Sequence, residues 1–212
     1  MNKRLEWQLK NLDRGIKYIA LDLDHMKIFI FIDGSFANNK DFSSQIGYLI
    51  ILANETANET ANKTTNGIDE FIIKGNLIHY SSTKSKRVTR SVLASKIYSM
   101  VGGVDMAIAI NTTIRMITSQ LGLPPTAIII CTDSYSLYEC LVKLRTTKEK
   151  HLIINIMALH QSYEQKEIAK VRWINRKDNP ANTMTKLTPN KALERFLNDN
   201  QLTIQIEGWV QK

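Results

Sequence analysis

The chain has 212 residues, of which 43% are hydrophobic, and its formal net charge is +8. This length allows one full domain with a sizeable core, so the fold requires neither disulfides nor a structural metal. No apolar run approaches the roughly 18 residues that span a bilayer. With no signal peptide ahead of two cysteines, the sequence predicts an intracellular protein with reduced thiols, in the cytoplasm, a virus-like particle or the nucleus and not secreted. The positive charge favours a polyanionic partner.

The first half of the chain predicts three strands and a long helix. Residues 1–26 alternate charged and apolar positions and are expected to lead into the domain. Strands are predicted over 27–33, 46–53 and 70–81. Residues 54–66 contain a four-residue repeat with little to bury, which predicts a low-complexity loop insert. Residues 91–120 have apolar side chains at the spacing of one helix face.

The second half predicts two further strands, each followed by helices. Strand four covers 127–132, and helices are predicted over 134–144 and 149–165. Strand five covers about 168–175, and Pro189 begins a last helix over 189–198. The prediction is therefore an α/β domain with a five-stranded mixed sheet flanked by helices.

Two aspartates close the strands that look most buried. Asp33 ends the first strand and Asp133 follows the fourth. Ligands of such sheets gather at the carboxyl ends of the strands, so neighbouring strands would bring the two carboxylates within about 8 Å. Two close carboxylates repel each other unless a cation lies between them, which indicates a divalent metal site. The alternative for Asp133 is a cap on the helix that follows it.

Four stretches carry a resemblance to a known family: FIDGSFANNKDFSSQIGYLI, IHYSSTKSKRVTRSVLAS, IIICTDSYSLYECLVKL and VRWINRKDNPANTMTK. In this order and spacing they resemble the ribonuclease H domain that ends the polymerase region of copia-type retrotransposons, particularly the fungal ones. Residues 5–23 resemble the connection from the reverse transcriptase. The resemblance implies a connection segment over 1–26, a ribonuclease H-like domain over 27–188, and a C-terminal helix and tail over 189–212.

The family hydrolyses the RNA strand of an RNA–DNA hybrid with two magnesium ions held by four carboxylates. The resemblance places the first and third of these on Asp33 and Asp133, as catalytic residues and metal ligands. The second position falls on Lys96 and the fourth on Asn182. A lysine adds positive charge where a bridging anion is needed, and Mg²⁺ prefers carboxylates to amides. We therefore expect magnesium binding and cleavage to be weak or lost.

Lys96 is expected to replace the missing cation by pairing with Asp33 or Asp133, so that the fold does not depend on metal. Asp178 lies four residues before Asn182 and is the alternative source of a carboxylate.

Two basic stretches are candidates for binding nucleic acid, or else solvated loops. The first precedes the long helix and the second lies between the middle helices. Side chains there and helix N-terminal amides can contact phosphates. The predicted contacts are Lys84, Lys86, Arg87, Arg90, Lys148 and Lys150. The implied partners are an RNA–DNA hybrid or another nucleic acid and the upstream reverse-transcriptase region, with no membrane.

Two other functions stay open. The chain could serve as a basic nucleic-acid-binding or structural module without catalysis. An integrase-type strand transferase shares the fold and uses a Glu about 35 residues after its second Asp, and Glu167 has nearly that spacing here. Against this second alternative, Glu167 falls at the entry to strand five, and the Asn-Pro-Ala motif belongs to the ribonuclease H family.

Overall fold

The computed structural model describes residues 3–12, 15–57, 69–142 and 149–211. Helices and strands follow the order expected from the sequence, with one helix added at the start and one strand added at the end. The elements are α1 (Lys3–Lys10), β1 (Met26–Ser35), β2 (Gln45–Ala57), β3 (Asp69–Lys84), α2 (Val92–Gln120), β4 (Ala127–Thr132), α3 (Tyr135–Val142), α4 (Ile153–Glu164), β5 (Lys170–Ile174), α5 (Ala192–Asp199) and β6 (Gln201–Gln211). Short 3₁₀ helices cover Lys150–Leu152, Arg176–Asp178 and Pro180–Met184.

The first five strands form a mixed sheet, as predicted, and the strands that carry Asp33 and Asp133 are neighbours in it. β1 pairs antiparallel with β2 and parallel with β4, while β2 pairs with β3 and β4 with β5. The strand order is therefore 3-2-1-4-5. Ile32 lies opposite Thr132 in the parallel pair, so Asp33 and Asp133 lie at the same edge of the sheet. Asp33 does not end its strand as predicted, because β1 continues to Ser35 and pairs with β2 there.

The prediction of five strands and a C-terminal tail is wrong, because the tail forms a sixth strand. β6 pairs with β3 through its first half and with β5 through its second half, which closes the sheet. Leu202 and Ile204 alternate with exposed residues and are buried at 2% and 0% exposure. This alternation is the pattern of a half-buried strand, and burial of these side chains stabilises the pairing.

The closed sheet separates two hydrophobic cores. On one face α2, α3 and α4 cover Ile28, Ile30 and Ile130. On the other, α5 and β6 cover Phe29 and Phe31 together with further residues from β2 to β5. Because β1 is covered on both sides, its apolar run is continuous rather than alternating.

α2 is long and apolar enough to cross a membrane by length and composition alone, contrary to the expectation that no segment is. Half of its most apolar window is buried against the rest of the domain. Ser91 caps its N-terminus by accepting a hydrogen bond from the Ala94 amide at 3.0 Å. A core helix meets the same length and composition criteria, and the packing of α2 on β1 and β2 agrees with that role.

The predicted loop insert begins too early in the sequence, because residues 54–57 belong to β2. Residues 58–66 lie outside the part of the chain that the structure describes. Glu55 accepts hydrogen bonds from Arg172 at 2.7 Å and from Lys27 at 2.8 Å. The Arg172 side chain is 5% exposed, and its guanidinium carbon lies 4.1 Å from the ring centre of Phe71. The ion pair between Glu55 and the buried Arg172 thus stabilises the first copy of the repeat as part of β2.

The segment before β1 is bound to the domain through asparagine side chains. The Ile19 amide donates to Asn76 Oδ1 at 2.8 Å, and Asn76 Nδ2 donates to the Ile19 carbonyl at 2.8 Å. Asn54 makes the same reciprocal pair with the Asp22 backbone at 2.9 and 2.7 Å. Asn200 donates to the Lys17 carbonyl at 2.9 Å. Residues 17–22 therefore pack as part of the folded unit.

We expect Asn76→Ala to lower the free energy of unfolding by about 2 kcal/mol, because Asn76 is 8% exposed and the change removes two hydrogen bonds in a water-poor place. Urea unfolding measures this. Asn54→Ala removes an equivalent pair in an exposed place and is the matched control, with a smaller loss expected. Equal stability of Asn76→Ala and the wild-type chain would show that residues 17–22 add nothing to the fold.

Candidate active site

The two predicted acids lie side by side at the carboxyl edge of β1 and β4. The Asp33 side chain is fully buried and that of Asp133 is 3% exposed. The Thr185 hydroxyl donates a hydrogen bond to Asp33 Oδ2, and the Ser99 hydroxyl donates to the Asp33 carbonyl at 2.6 Å. These contacts fix the first carboxylate against α2 on one side and against the segment after β5 on the other.

Gly34 allows α2 to approach this edge closely. A Cβ atom on Gly34 would lie 2.6 Å from the Ser95 carbonyl carbon and 2.9 Å from the Lys96 nitrogen. No side chain fits at these separations, so glycine is required beside the first acid. The close approach brings the second turn of α2 over the two carboxylates.

Lys96 lies between the two acids, where the sequence predicted an internal ion pair. Its ammonium nitrogen is 2.5 Å from Asp133 Oδ1 and 3.5 Å from Asp33 Oδ1. Because one nitrogen reaches both carboxylates, the acids are closer together than the predicted limit of about 8 Å. The Lys96 side chain is 11% exposed, so its charge is largely removed from water and is compensated locally.

A second lysine, not predicted from the sequence, also reaches the first acid. The Lys186 ammonium lies 2.9 Å from Asp33 Oδ2, and its side chain is 23% exposed. Lys186 is 153 residues from Asp33 in sequence, and no local pattern links the two. The one available signal was its place at the end of the last stretch that resembles the family. The two lysines balance the charge of the two aspartates.

Neither predicted replacement for the fourth carboxylate faces the acids. Asn182 is 4% exposed, and its side-chain oxygen accepts a hydrogen bond from the Asn190 amide at 3.1 Å. Asp178 binds Arg195 at 3.3 Å and accepts a hydrogen bond from the Gln205 amide at 3.2 Å. Asp178 thus joins α5 to β6 and does not serve as a substitute ligand.

The residues present do not fit two magnesium ions. One feature favours a cation: Asp33 Oδ1 is buried and makes no hydrogen bond within the described ranges. Against this, the two lysines already neutralise both acids, and a divalent ion beside their ammonium groups would be repelled. Among the residues that the structure describes, no three His, Cys, Asp or Glu side chains form a group able to hold a metal.

The first basic stretch forms an open groove beside the N-terminal part of α2. Lys86 and Arg87 line it together with Tyr98 and with Asn155 of α4, and the Arg87 guanidinium carbon lies 5.4 Å from the Tyr98 ring centre. Lys84 also lines the groove and pairs with Asp41. Hydrogen bonds from Lys84 and Ser43 lower the pKa of Asp41 to about 2, so this pair is charged at neutral pH.

The second basic stretch meets the first at Glu149. The Ser91 hydroxyl donates to the Glu149 carboxylate at 2.5 Å, which places exposed Lys150 near Arg90. Lys148 lies outside the described residues. Arg90 and Lys150 therefore lie close together at the start of α2, while Lys86 and Arg87 line the groove of the first stretch.

Glu167 lies at the wrong end of the sheet for an integrase-type site. It precedes β5, whereas Asp133 follows β4, and these two strands run parallel. The three acids of a strand transferase must share one site, so Glu167 does not complete such a site with Asp33 and Asp133.

Comparison with known proteins gives structural matches only. The sequence matches no family model and no curated protein. LC11-RNase H1, isolated from compost by a metagenomic approach, is 18% identical with a TM-score of 0.49, over 79% of this chain and 98% of its own. RNase H1 of the archaeon Halobacterium salinarum is 12% identical with a TM-score of 0.48, over 80% and 98%.

The prototype foamy virus protease-reverse transcriptase matches at 13% identity and a TM-score of 0.40, over 72% of this chain and 18% of the viral one. A further structure shows LC11-RNase H1 in complex with an RNA/DNA hybrid. These similarities do not assign a function to any residue of this chain.

Proposed function

We propose that this chain is a ribonuclease H-like domain of a copia-type retrotransposon reverse transcriptase that binds nucleic acid and cleaves RNA–DNA hybrids weakly or not at all. The observation that carries the proposal is the Lys96 ammonium between Asp33 and Asp133. Lys186 adds a second positive charge on Asp33. Two-metal hydrolysis requires cations held by carboxylates at this position, and here ammonium groups take their place.

Retention of nucleic-acid binding is supported by the net charge of +8 and by the basic groove beside Tyr98. Phosphate contacts supply most non-specific affinity, and an aromatic ring beside them provides a surface for stacking. An RNA–DNA hybrid is the partner that this proposal implies. The extended segment bound along Asn54 and Asn76 fits an upstream connection to a reverse transcriptase inside the cell.

We expect weak cleavage or none of a labelled RNA–DNA hybrid, in either Mg²⁺ or Mn²⁺. The triple replacement Lys96→Glu, Asn182→Asp and Lys186→Met is the smallest change expected to give cleavage, because it places a carboxylate beside the two acids at position 96 and frees Asp33. The new carboxylate at position 182 must also turn from the Asn190 amide toward the acids. Adding Asp33→Asn to the triple variant is the control for contaminating nuclease. Metal-dependent cleavage by the unchanged chain that is as fast as that of the triple variant, and that Asp33→Asn abolishes, would overturn the proposal. Absence of hybrid binding in a filter assay would favour a structural module instead.

A further inference from the structure

The acids and lysines lie at the floor of a cleft that continues past the end of β5. The part above the acids has a volume of about 370 Å³ and is lined by Asp33, Lys96, Asp133, Arg176 and Lys186. An adjoining part of about 670 Å³ shares Arg176 and Lys186 and adds Lys177. The two parts form one open groove along the carboxyl edge of the sheet.

The groove carries an excess of positive charge without any metal. Lys96 and Lys186 neutralise the two buried aspartates. The Arg176 guanidinium lines both parts of the groove, and no acidic side chain pairs with it among the residues that the structure describes. The Arg176 guanidinium and the partly exposed Lys186 ammonium can both donate hydrogen bonds to a bound anion, and their positive charges attract it.

We infer that this groove binds a phosphodiester group of nucleic acid directly, through Arg176 and Lys186 and without a metal ion. The identity of the ligand rests on the proposed function. The guanidinium offers a planar pair of donors that matches two phosphate oxygens. The Lys186 ammonium has three donors and uses one on Asp33. Asp33 thereby holds Lys186 in place at the floor of the groove.

The test is fluorescence anisotropy with a short RNA–DNA hybrid in EDTA, over a range of salt concentrations. We expect the wild-type chain to bind equally with and without EDTA. Arg176→Gln should weaken binding roughly tenfold and reduce the salt slope by about one, the effect of losing one phosphate contact. Lys166→Gln removes the same charge at the other end of β5 and should stay within about twofold of wild type.

The outcomes separate this inference from the proposed function. If the hybrid binds but Arg176→Gln and Lys166→Gln have the same affinity, the groove is not a phosphate site and only this inference fails. Loss of binding in EDTA would also overturn it. If the wild-type chain binds no hybrid, both proposals fail. If inorganic pyrophosphate displaces the labelled hybrid at lower concentration than unlabelled hybrid does, the groove prefers free phosphates to nucleic acid and the assignment of the ligand is overturned. Thermal melts verify that each variant is folded.

Discussion

Lys96→Glu is expected to destabilise the protein by about 3 kcal/mol in chelator, which corresponds to a fall in melting temperature of about 6 to 12 °C. The change removes the cation between Asp33 and Asp133 and puts a third carboxylate beside them. Lys186 remains and offsets only part of the repulsion. Magnesium should restore part of the loss, because the variant then contains the acidic cluster that a divalent ion prefers.

The control for this prediction is Lys96→Met, which removes the charge but adds no ligand. It should also melt lower, and magnesium should not rescue it. Thermal melts of the three proteins with EDTA and with magnesium measure both effects. If Lys96→Glu melts at the wild-type temperature in EDTA, Lys96 does not replace a metal cation, and the explanation of the site is wrong.

Glu55→Ala is expected to cost about 3 kcal/mol, because it leaves the buried Arg172 guanidinium without its acidic partner. One nitrogen of Arg172 already makes no hydrogen bond within the described residues. Urea unfolding at pH 7 measures the loss. Asp41→Ala breaks an exposed ion pair with Lys84 and is the matched control, with little change in stability expected. Equal losses in the two variants would show that the buried pair has no special role.

The contribution of Glu55 should also depend on pH. Burial raises the pKa of this carboxyl group, but the charges and hydrogen bonds of Arg172 and Lys27 outweigh burial, and the pKa lies below its ordinary value of 4.5. The folded state therefore binds a proton more weakly than the unfolded state. The stabilisation is present above the unfolded pKa and is lost as pH falls through the lower folded pKa. The difference in stability between wild type and Glu55→Ala should narrow in that acidic range.

The sequence predicted the elements that carry the acids because their signals are local. The continuous apolar runs of β1 and β4, each followed by Asp, are visible without any partner. The ion pair of Lys96 could be predicted because Lys96 stands where the resembling family has its second carboxylate, between the motifs of Asp33 and Asp133. The strand Gln201–Gln211 had a local signal as well, the alternation of Leu202 and Ile204, but its partners lie on the two edges of the sheet.

Other features depend on contacts between distant residues. Glu55 lies in a repeat whose composition indicates a solvated loop, and its buried partner is 117 residues away. Lys186 is brought to Asp33 by the segment after β5, which contains the 3₁₀ helix Pro180–Met184. The sequence did not predict where this segment runs. In both cases a charge far away in sequence decides the role of the residue, and composition alone contains no information about it.

The position of β6 limits how another protein chain can bind this domain. β3 and β5 would be the two edges of the sheet without it, and each would present unpaired amide and carbonyl groups. β6 covers β5 and residues 69–74 of β3, so the second half of β3 remains the part of the described sheet to which a partner could add a strand. Elsewhere on the sheet a partner is expected to dock through side chains or through the segment before β1. The pairing of β6 also restricts edge-to-edge aggregation to the second half of β3.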